Sequence, residues 1–264
     1  MKVEALFDVR GLVTVVTGAA SGLGLAMAEV MAENGAVVAM LDIDPVGLDA
    51  AVTRLAKAGH AVEGIVLDVG DTARLRPVIG AVAEKHGSLD VVFANAGISA
   101  GRSFEFPEGE VDAVDMVRWS QVLQVNLTSV FVTLQAAAER MKAQRSGRII
   151  VTSSIAGIRA ERMVGYAYAA TKAAVNNLVR QAALELAPYN VMVNAIAPGP
   201  FFTNIAGGRL HREPEFVQKF AAMVPLGRIA KPDELKGLAL LLASPAASFI
   251  TGAVIPIDGG ITAG

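Results

Sequence analysis

Seven short apolar stretches rich in β-branched residues, separated by segments of helical spacing, constrain this chain more than any other feature. The stretches are residues 12–17, 36–41, 61–67, 89–94, 148–152, 191–197 and 253–257. Most of the intervals read as helices, namely 22–34, 45–58, 72–86, 116–145, 166–187 and 232–243, with apolar residues recurring at helical period. Strand–helix alternation implies right-handed crossovers and a parallel sheet covered on both faces. The expectation is an α/β fold: one doubly wound parallel sheet of about seven strands, in a single domain spanning 1–264. No repeat, low-complexity tract or second-domain boundary interrupts it.

Composition narrows the function classes. Hydrophobic residues make up 53% of the 264 positions and charged ones 18%, enough apolar material for a doubly covered sheet. A mean hydropathy of +0.48 raises the question of a membrane. No apolar run approaches the ~18–20 residues a spanning helix needs. Glu4 and Asp8 interrupt the apolar N-terminus, which does not read as a signal peptide. A cytoplasmic location without a membrane partner is expected. Cysteine is absent, which excludes disulfides, thiol nucleophiles and thiolate metal sites. His60, His86 and His211 are isolated, so no metal is expected. A net charge of −2 without a basic cluster makes nucleic acid an unsuitable partner.

Residues 17–24 (Thr-Gly-Ala-Ala-Ser-Gly-Leu-Gly) follow the first strand directly and open the first helix. Glycines in that context allow a tight turn, close approach of backbone to pyrophosphate, and close helix–strand packing. The exposed amides and the helix dipole then hold the anion. Asp42 ends the second strand, eighteen residues past Gly24. A carboxylate there accepts bonds from adenosine ribose hydroxyls and repels a 2′-phosphate; the plainer reading is a turn or helix-cap aspartate, which Asp44 fits as well. No Lys or Arg occurs in residues 11–53. NAD is therefore expected over NADP.

Tyr168 and Lys172 lie four apart on one helix face, fourteen and eighteen residues after Ser154. A free tyrosine titrates near ~10, and a nearby cation favours the phenolate, towards a range useful for proton transfer. Tyr166 is a decoy: two residues from Tyr168 is roughly 200° of helix rotation, pointing away from Lys172. Two irregular segments, 99–114 and 201–224, leave strand ends where ligands bind in such sheets, and read as lids or pocket walls rather than plain surface insertions.

Assembled in this order, the motifs resemble those of the short-chain dehydrogenase/reductase family, of single-domain Rossmann type, from about residue 9 to 260. The turn at 17–24 matches the family's cofactor loop, and Asn95-Ala96-Gly97 the motif closing the fourth strand, with Ala94 where many members have asparagine. Asp68-Val69 matches the dipeptide that touches adenine, and Pro198-Gly199-Pro200-Phe201-Phe202-Thr203 the turn that receives the nicotinamide carboxamide. Asp258-Gly259-Gly260 matches a structural C-terminal signature. The resemblance implies Tyr168 as acid/base, Lys172 lowering its pKa and binding nicotinamide ribose, Ser154 polarising the carbonyl, and Asn126 holding a proton-relay water. Ser153 is the structural neighbour in this reading. It implies NAD held by Gly18, Ser21, Gly22, Leu23, Gly24, Asp42, Ile43, Asp68, Val69, Asn95, Ala96, Gly97, Tyr168, Lys172, Pro198, Gly199, Phe201 and Thr203. The reaction expected is interconversion of a small-molecule secondary alcohol and a ketone, by a homotetramer. A 3-oxoacyl-carrier-protein reductase, a sugar or polyol dehydrogenase, and a nucleotide-binding sensor without turnover remain as alternatives. Arg102, Arg159, Arg162 and Arg209 are candidate contacts for an acidic substrate, or solvated loop charges.

Overall fold

The computed structural model of the protein describes residues 2–205 and 207–264; the side chain of Arg209, singled out above, lies outside the described residues. Its strands are β1 (Val13–Thr17), β2 (Val37–Asp42), β3 (Val62–Val66), β4 (Val91–Ala94), β5 (Gly147–Thr152), β6 (Val191–Pro198) and β7 (Val254–Ile257). All pair in parallel, in the order β3-β2-β1-β4-β5-β6-β7. The helices are α1 (Val3–Leu6), α2 (Gly22–Glu33), α3 (Pro45–Lys57), α4 (Thr72–His86), α5 (Met116–Leu123), α6 (Ser129–Gln144), α7 (Tyr166–Leu186), α8 (Arg209–Arg212), α9 (Pro214–Ala222) and α10 (Lys236–Ala243).

Alternate strand residues face opposite sides, and both sides are apolar. Val92 and Ala94 of β4, with Ile149 and Val151 of β5, pack under α4, α6 and α7 through Leu75, Ile79, Leu134 and Val175. Val91, Phe93 and Ile150 face the other way, against Met27 and Met31 of α2, Leu48 of α3 and Leu242 of α10. Each such side chain, fully buried, contributes about 1.5–3 kcal/mol of burial free energy, which is why the central strands are apolar at nearly every position. Local signals set the helix ends. The Asp44 carboxylate accepts the Val46 N–H at 3.1 Å ahead of Pro45 at the first helical position, and Gly87 closes α4 in a left-handed conformation. Among the described residues no helix is long and apolar enough to cross a membrane.

Three segments depart from the sequence reading. The single helix expected over 116–145 is broken by a π-helical turn, Gln124–Thr128. At its centre the buried Asn126 amide accepts the Ile98 N–H and donates to the Ile98 carbonyl, both at 2.8 Å. One extra residue shifts the apolar phase by roughly 100°, but the 8-residue α5 before it is too short to fix a phase against which the shift could be read. The last expected helix splits into a 3-10 turn, Pro232–Leu235, and α10. Segment 201–224 is not purely irregular, since it holds α8 and α9.

The strand order reverses between β1 and β4. Chain leaving these neighbours departs to opposite faces of the sheet, which opens a crevice at their carboxyl ends.

Candidate active site

A cavity of about 900 Å³ occupies that crevice. Its floor on one side is the glycine turn. Gly18 has φ +68°, and a Cβ there would lie 2.9 Å from the Ala96 Cα. At Gly24 a Cβ would lie 2.0 Å from the Gly18 carbonyl oxygen, so no other residue lets α2 meet the turn this closely. The Gly18 N–H donates to the Leu41 carbonyl at 2.8 Å and the Ala20 N–H to Asp42 Oδ2 at 2.8 Å. Ser21 precedes α2 without a side-chain cap, so the first amides of the helix remain available to an anion.

Asp42 also accepts the Asp44 N–H through Oδ1 at 2.9 Å. Each of its oxygens keeps acceptor capacity towards the cavity. Asn95 clasps the neighbouring strands. Its Nδ2 donates to the Thr17 and Gly18 carbonyls at 3.0 and 3.2 Å, and its Oδ1 accepts from Thr152 Oγ1 at 3.0 Å. Thr203 reaches the same turn from the far side, since a Cβ on Gly22 would lie 3.3 Å from the Thr203 methyl.

Every cofactor residue expected from the sequence lines the cavity except Gly24, which packs behind the turn. Ser154, Tyr168 and Lys172 line it too, whereas Asn126 is fully buried behind its wall. Ser153 Oγ donates to Asn176 Oδ1 of α7, while Ser154 Oγ, which accepts the Ala156 N–H at 3.2 Å, is the group that acts on the Tyr168 phenol. Tyr166 points outward, 40% exposed, and packs against Phe104 at 6.3 Å between ring centroids.

Burial dominates the electrostatics of the pair. Lys172 Nζ lies 5.5 Å from the Tyr168 ring centroid but donates to the Thr152 carbonyl at 2.6 Å. Burial lowers its pKa to about 8. The Tyr168 phenol is pushed above its usual value by burial, with the Ser154 hydrogen bond pulling it back. Desolvation thus sets the direction of the phenol's shift in the chain alone.

Two further charged groups stand in the substrate-facing wall. Glu161 is a buried carboxylate lining the cavity, paired with Arg159 at 2.8 Å. Arg118, from the first turn of α5, lines it as well. Arg118 has no sequence signal, because it reaches the cavity only through the tertiary fold. Of the arginines singled out, Arg159 binds the Ile261 and Gly264 carbonyls at 2.7 and 2.8 Å, and Arg102 pairs with Glu108 at 3.2 Å. Asp258 is structural. Burial acts to raise its pKa, but bonds from Thr262 and Gly260 outweigh it and hold the carboxyl below its usual range.

A seven-stranded parallel sheet carrying a glycine cradle at its switch point defines a nucleotide-binding α/β protein, and the tyrosine–lysine wall facing that cradle adds the means for proton transfer. Residues 18–262 match a family model described as enoyl-(acyl carrier protein) reductase. The cis-4-hydroxycyclohexanecarboxylate dehydrogenase of Sinomonas cyclohexanicum is 40% identical over 256 residues, covering 95% of this chain and 96% of the relative. Among solved structures, a short-chain type dehydrogenase/reductase from Mycobacterium marinum is 33% identical with a TM-score of 0.90, covering 100% of both chains. A gluconate 5-dehydrogenase from Burkholderia cenocepacia, solved with NADP and tartrate, is 32% identical with a TM-score of 0.90, again covering 100% of both. The chain belongs to the short-chain dehydrogenase/reductase family of oxidoreductases, which use a nicotinamide cofactor.

Proposed function

We propose that this chain is an NAD-dependent oxidoreductase that interconverts a secondary alcohol and a ketone of modest size with an apolar body. The observation carrying this is the convergence of Ser154, Tyr168 and Lys172 on one cavity with the glycine turn and Asp42. The residues present fit the cofactor. Turn amides would hold the pyrophosphate, Asp42 the adenosine ribose hydroxyls, Ile43, Asp68 and Val69 the adenine, and Lys172 the nicotinamide ribose. The Pro198–Thr203 turn would receive the carboxamide. Bound NAD would supply a hydride acceptor at nicotinamide C4.

In alcohol oxidation Tyr168 Oη takes the hydroxyl proton, and in ketone reduction it returns that proton. Ser154 Oγ donates to the substrate oxygen as charge develops on it. Lys172, with a pKa of about 8, exchanges its proton readily near neutral pH, which suits a relay behind Tyr168. The Asn126 side-chain oxygen and nitrogen each already bond Ile98, so a relay water would use its remaining lone pair or N–H, or its backbone. The dinucleotide choice rests on charge: Asp42 faces the cavity, and no cation stands in residues 11–53 to meet a 2′-phosphate. A reductase of acyl-carrier-protein substrates is the second reading, favoured by the description of the matching family model. Single-domain chains would assemble in the cytoplasm as homotetramers through α6 and α7, where Phe131 and Leu184 stand exposed; a monomeric mass by light scattering overturns that assembly.

The test is a coupled screen with NAD and NADP side by side across cyclic, aryl, steroid, polyol and hydroxy-acid secondary alcohols. On the best substrate Tyr168→Phe lowers kcat by roughly 10²–10⁴-fold. Comparable turnover by that variant sinks the catalytic assignment, and a preference for NADP with acyl thioesters favours the second reading.

A further inference from the structure

The substrate-facing wall of the cavity is mostly apolar, built by Met163, Ile205, Phe216 and Phe220 among others. Charged groups stand out against that background; apart from Lys172, which belongs to the tyrosine–lysine wall and donates to the Thr152 carbonyl, the described ones in this wall other than Arg118 are paired. Glu161 pairs with Arg159 at 2.8 Å, and Arg102 with Glu108 at 3.2 Å while stacking on the Phe106 ring at 4.6 Å. Asp42 and Asp68 lie at the other end, where β2 and β3 finish. Arg118 is different. Half-buried, it donates one Nη2 bond to the Ser99 carbonyl and one long Nη1 bond, 3.4 Å, to Gln121 Oε1. Among the described residues no carboxylate lies within ion-pair distance of it. A guanidinium has five N–H donors, so Arg118 keeps donors to spare and a charge that nothing in the wall offsets.

Its position is close to the chemistry. Ser99 follows Gly97 by two residues, and a Cβ built on Gly97 would lie 3.8 Å from Lys172 Nζ. Two residues of chain span at most ~7 Å. The backbone that Arg118 grips is thus a short step from Lys172, on the side where Ile98 is held by Asn126. A carboxylate arriving there meets a partly desolvated cation, in the planar geometry that favours two parallel hydrogen bonds. Half-burial makes such a pair stronger than an exposed one, where salt and water cancel most of the gain.

We propose that Arg118 anchors a carboxylate carried by the substrate, so that the preferred substrate is an anionic secondary alcohol with an apolar body. This rests on the secondary-alcohol reading above and adds the acidic group to it. The competing role, a structural clamp on Ser99, predicts equal damage to every substrate.

The experiment compares cis-4-hydroxycyclohexanecarboxylate with its methyl ester, with NAD in saturating amount, for the intact chain, Arg118→Gln and Arg118→Lys. The acid is expected to have the higher kcat/KM, and Arg118→Gln to lower it roughly 10–100-fold, mainly through KM, as loss of a charged hydrogen-bond pair implies. The ester changes less than about twofold, KM for NAD is unmoved, and Arg118→Lys restores part of the acid's advantage. Equal losses on acid and ester, or no loss on either, overturn the anchor and leave the oxidoreductase reading standing. Turnover of neither compound counts against that reading instead. Calorimetry with cyclohexanecarboxylate, which lacks the reacting hydroxyl, then decides Arg118 separately: binding that Arg118→Gln abolishes supports the anchor, and no binding, or binding that it leaves intact, overturns it.

Discussion

The two walls of the cavity are built by different means. The dinucleotide wall is turn backbone fixed by short side chains at strand ends: the Gly18 and Ala20 amides bonded to the end of β2, and the Asn95 side chain tying Thr17 and Gly18 to Thr152. Every contact there joins strand ends or the turn directly after one. The substrate wall is side chain, contributed by loops after β4, β5 and β6, and steadied by exposed ion pairs such as Lys219–Glu105 at 3.0 Å. Backbone at a switch point has few ways to be arranged, whereas loop side chains have many. The first wall accordingly suits a common cofactor, and the second suits a particular substrate.

Replacing one glycine behind the dinucleotide turn and one in the substrate wall tests that contrast most severely. Gly24→Ala places a methyl group 2.0 Å from a backbone oxygen, and is expected to cost ~3 kcal/mol or more, the upper end for overpacking, with loss of NAD binding. Gly101, φ +93°, has no atom within 4 Å of a built Cβ, so alanine there costs only backbone strain, about 1–2 kcal/mol. Equal costs by chemical denaturation would break the comparison.

The next largest effect is on pH dependence. Burial raises the Tyr168 pKa, so the phenol is protonated at neutral pH, ready to donate in ketone reduction. Oxidation needs the phenolate, whose fraction rises about tenfold per pH unit below the pKa. The kcat/KM for oxidation should climb through the alkaline range towards the phenol's pKa, while that for reduction stays level until the pH passes that pKa and then falls; parallel slopes in the two directions contradict the assignment. Asp42→Asn comes third. It removes the charge facing the adenosine end, and should shrink the NAD-over-NADP ratio by roughly 10–100-fold, read from kcat/KM with each cofactor, without moving substrate KM. The smallest effect is expected from Glu105→Gln, which opens the exposed clasp between the loop after β4 and α9. It should cost less than ~1 kcal/mol and raise substrate KM only a few-fold, an effect that high salt erases in the parent chain.

Much of the first wall was legible before the fold was known. Gly18, Asp42 and Asn95 sit immediately after strands, and strand ends are visible in apolar patterning. Tyr168, Lys172 and Ser154 were legible by helix spacing and motif order, including the separation of Tyr168 from Tyr166, which indeed faces Phe104 instead. The π-turn around Asn126 was not, because α5 before it is too short to fix the apolar phase that the added residue shifts. Nor was the cost of burying Tyr168. The sequence shows that a lysine is near, but not that Lys172 spends its shortest bond on the Thr152 carbonyl.

By itself, then, the sequence determined the doubly wound parallel sheet, the dinucleotide turn and the tyrosine–lysine pair, since these follow from local period and from residues a few positions apart. Only the tertiary structure decided which charges face the substrate. Arg159 turns to the Ile261 and Gly264 carbonyls, about a hundred residues away along the chain, and Arg118 turns back to Ser99 across the loop after β4. Such choices depend on which loops the sheet brings together at one edge, and no local pattern in the chain records them.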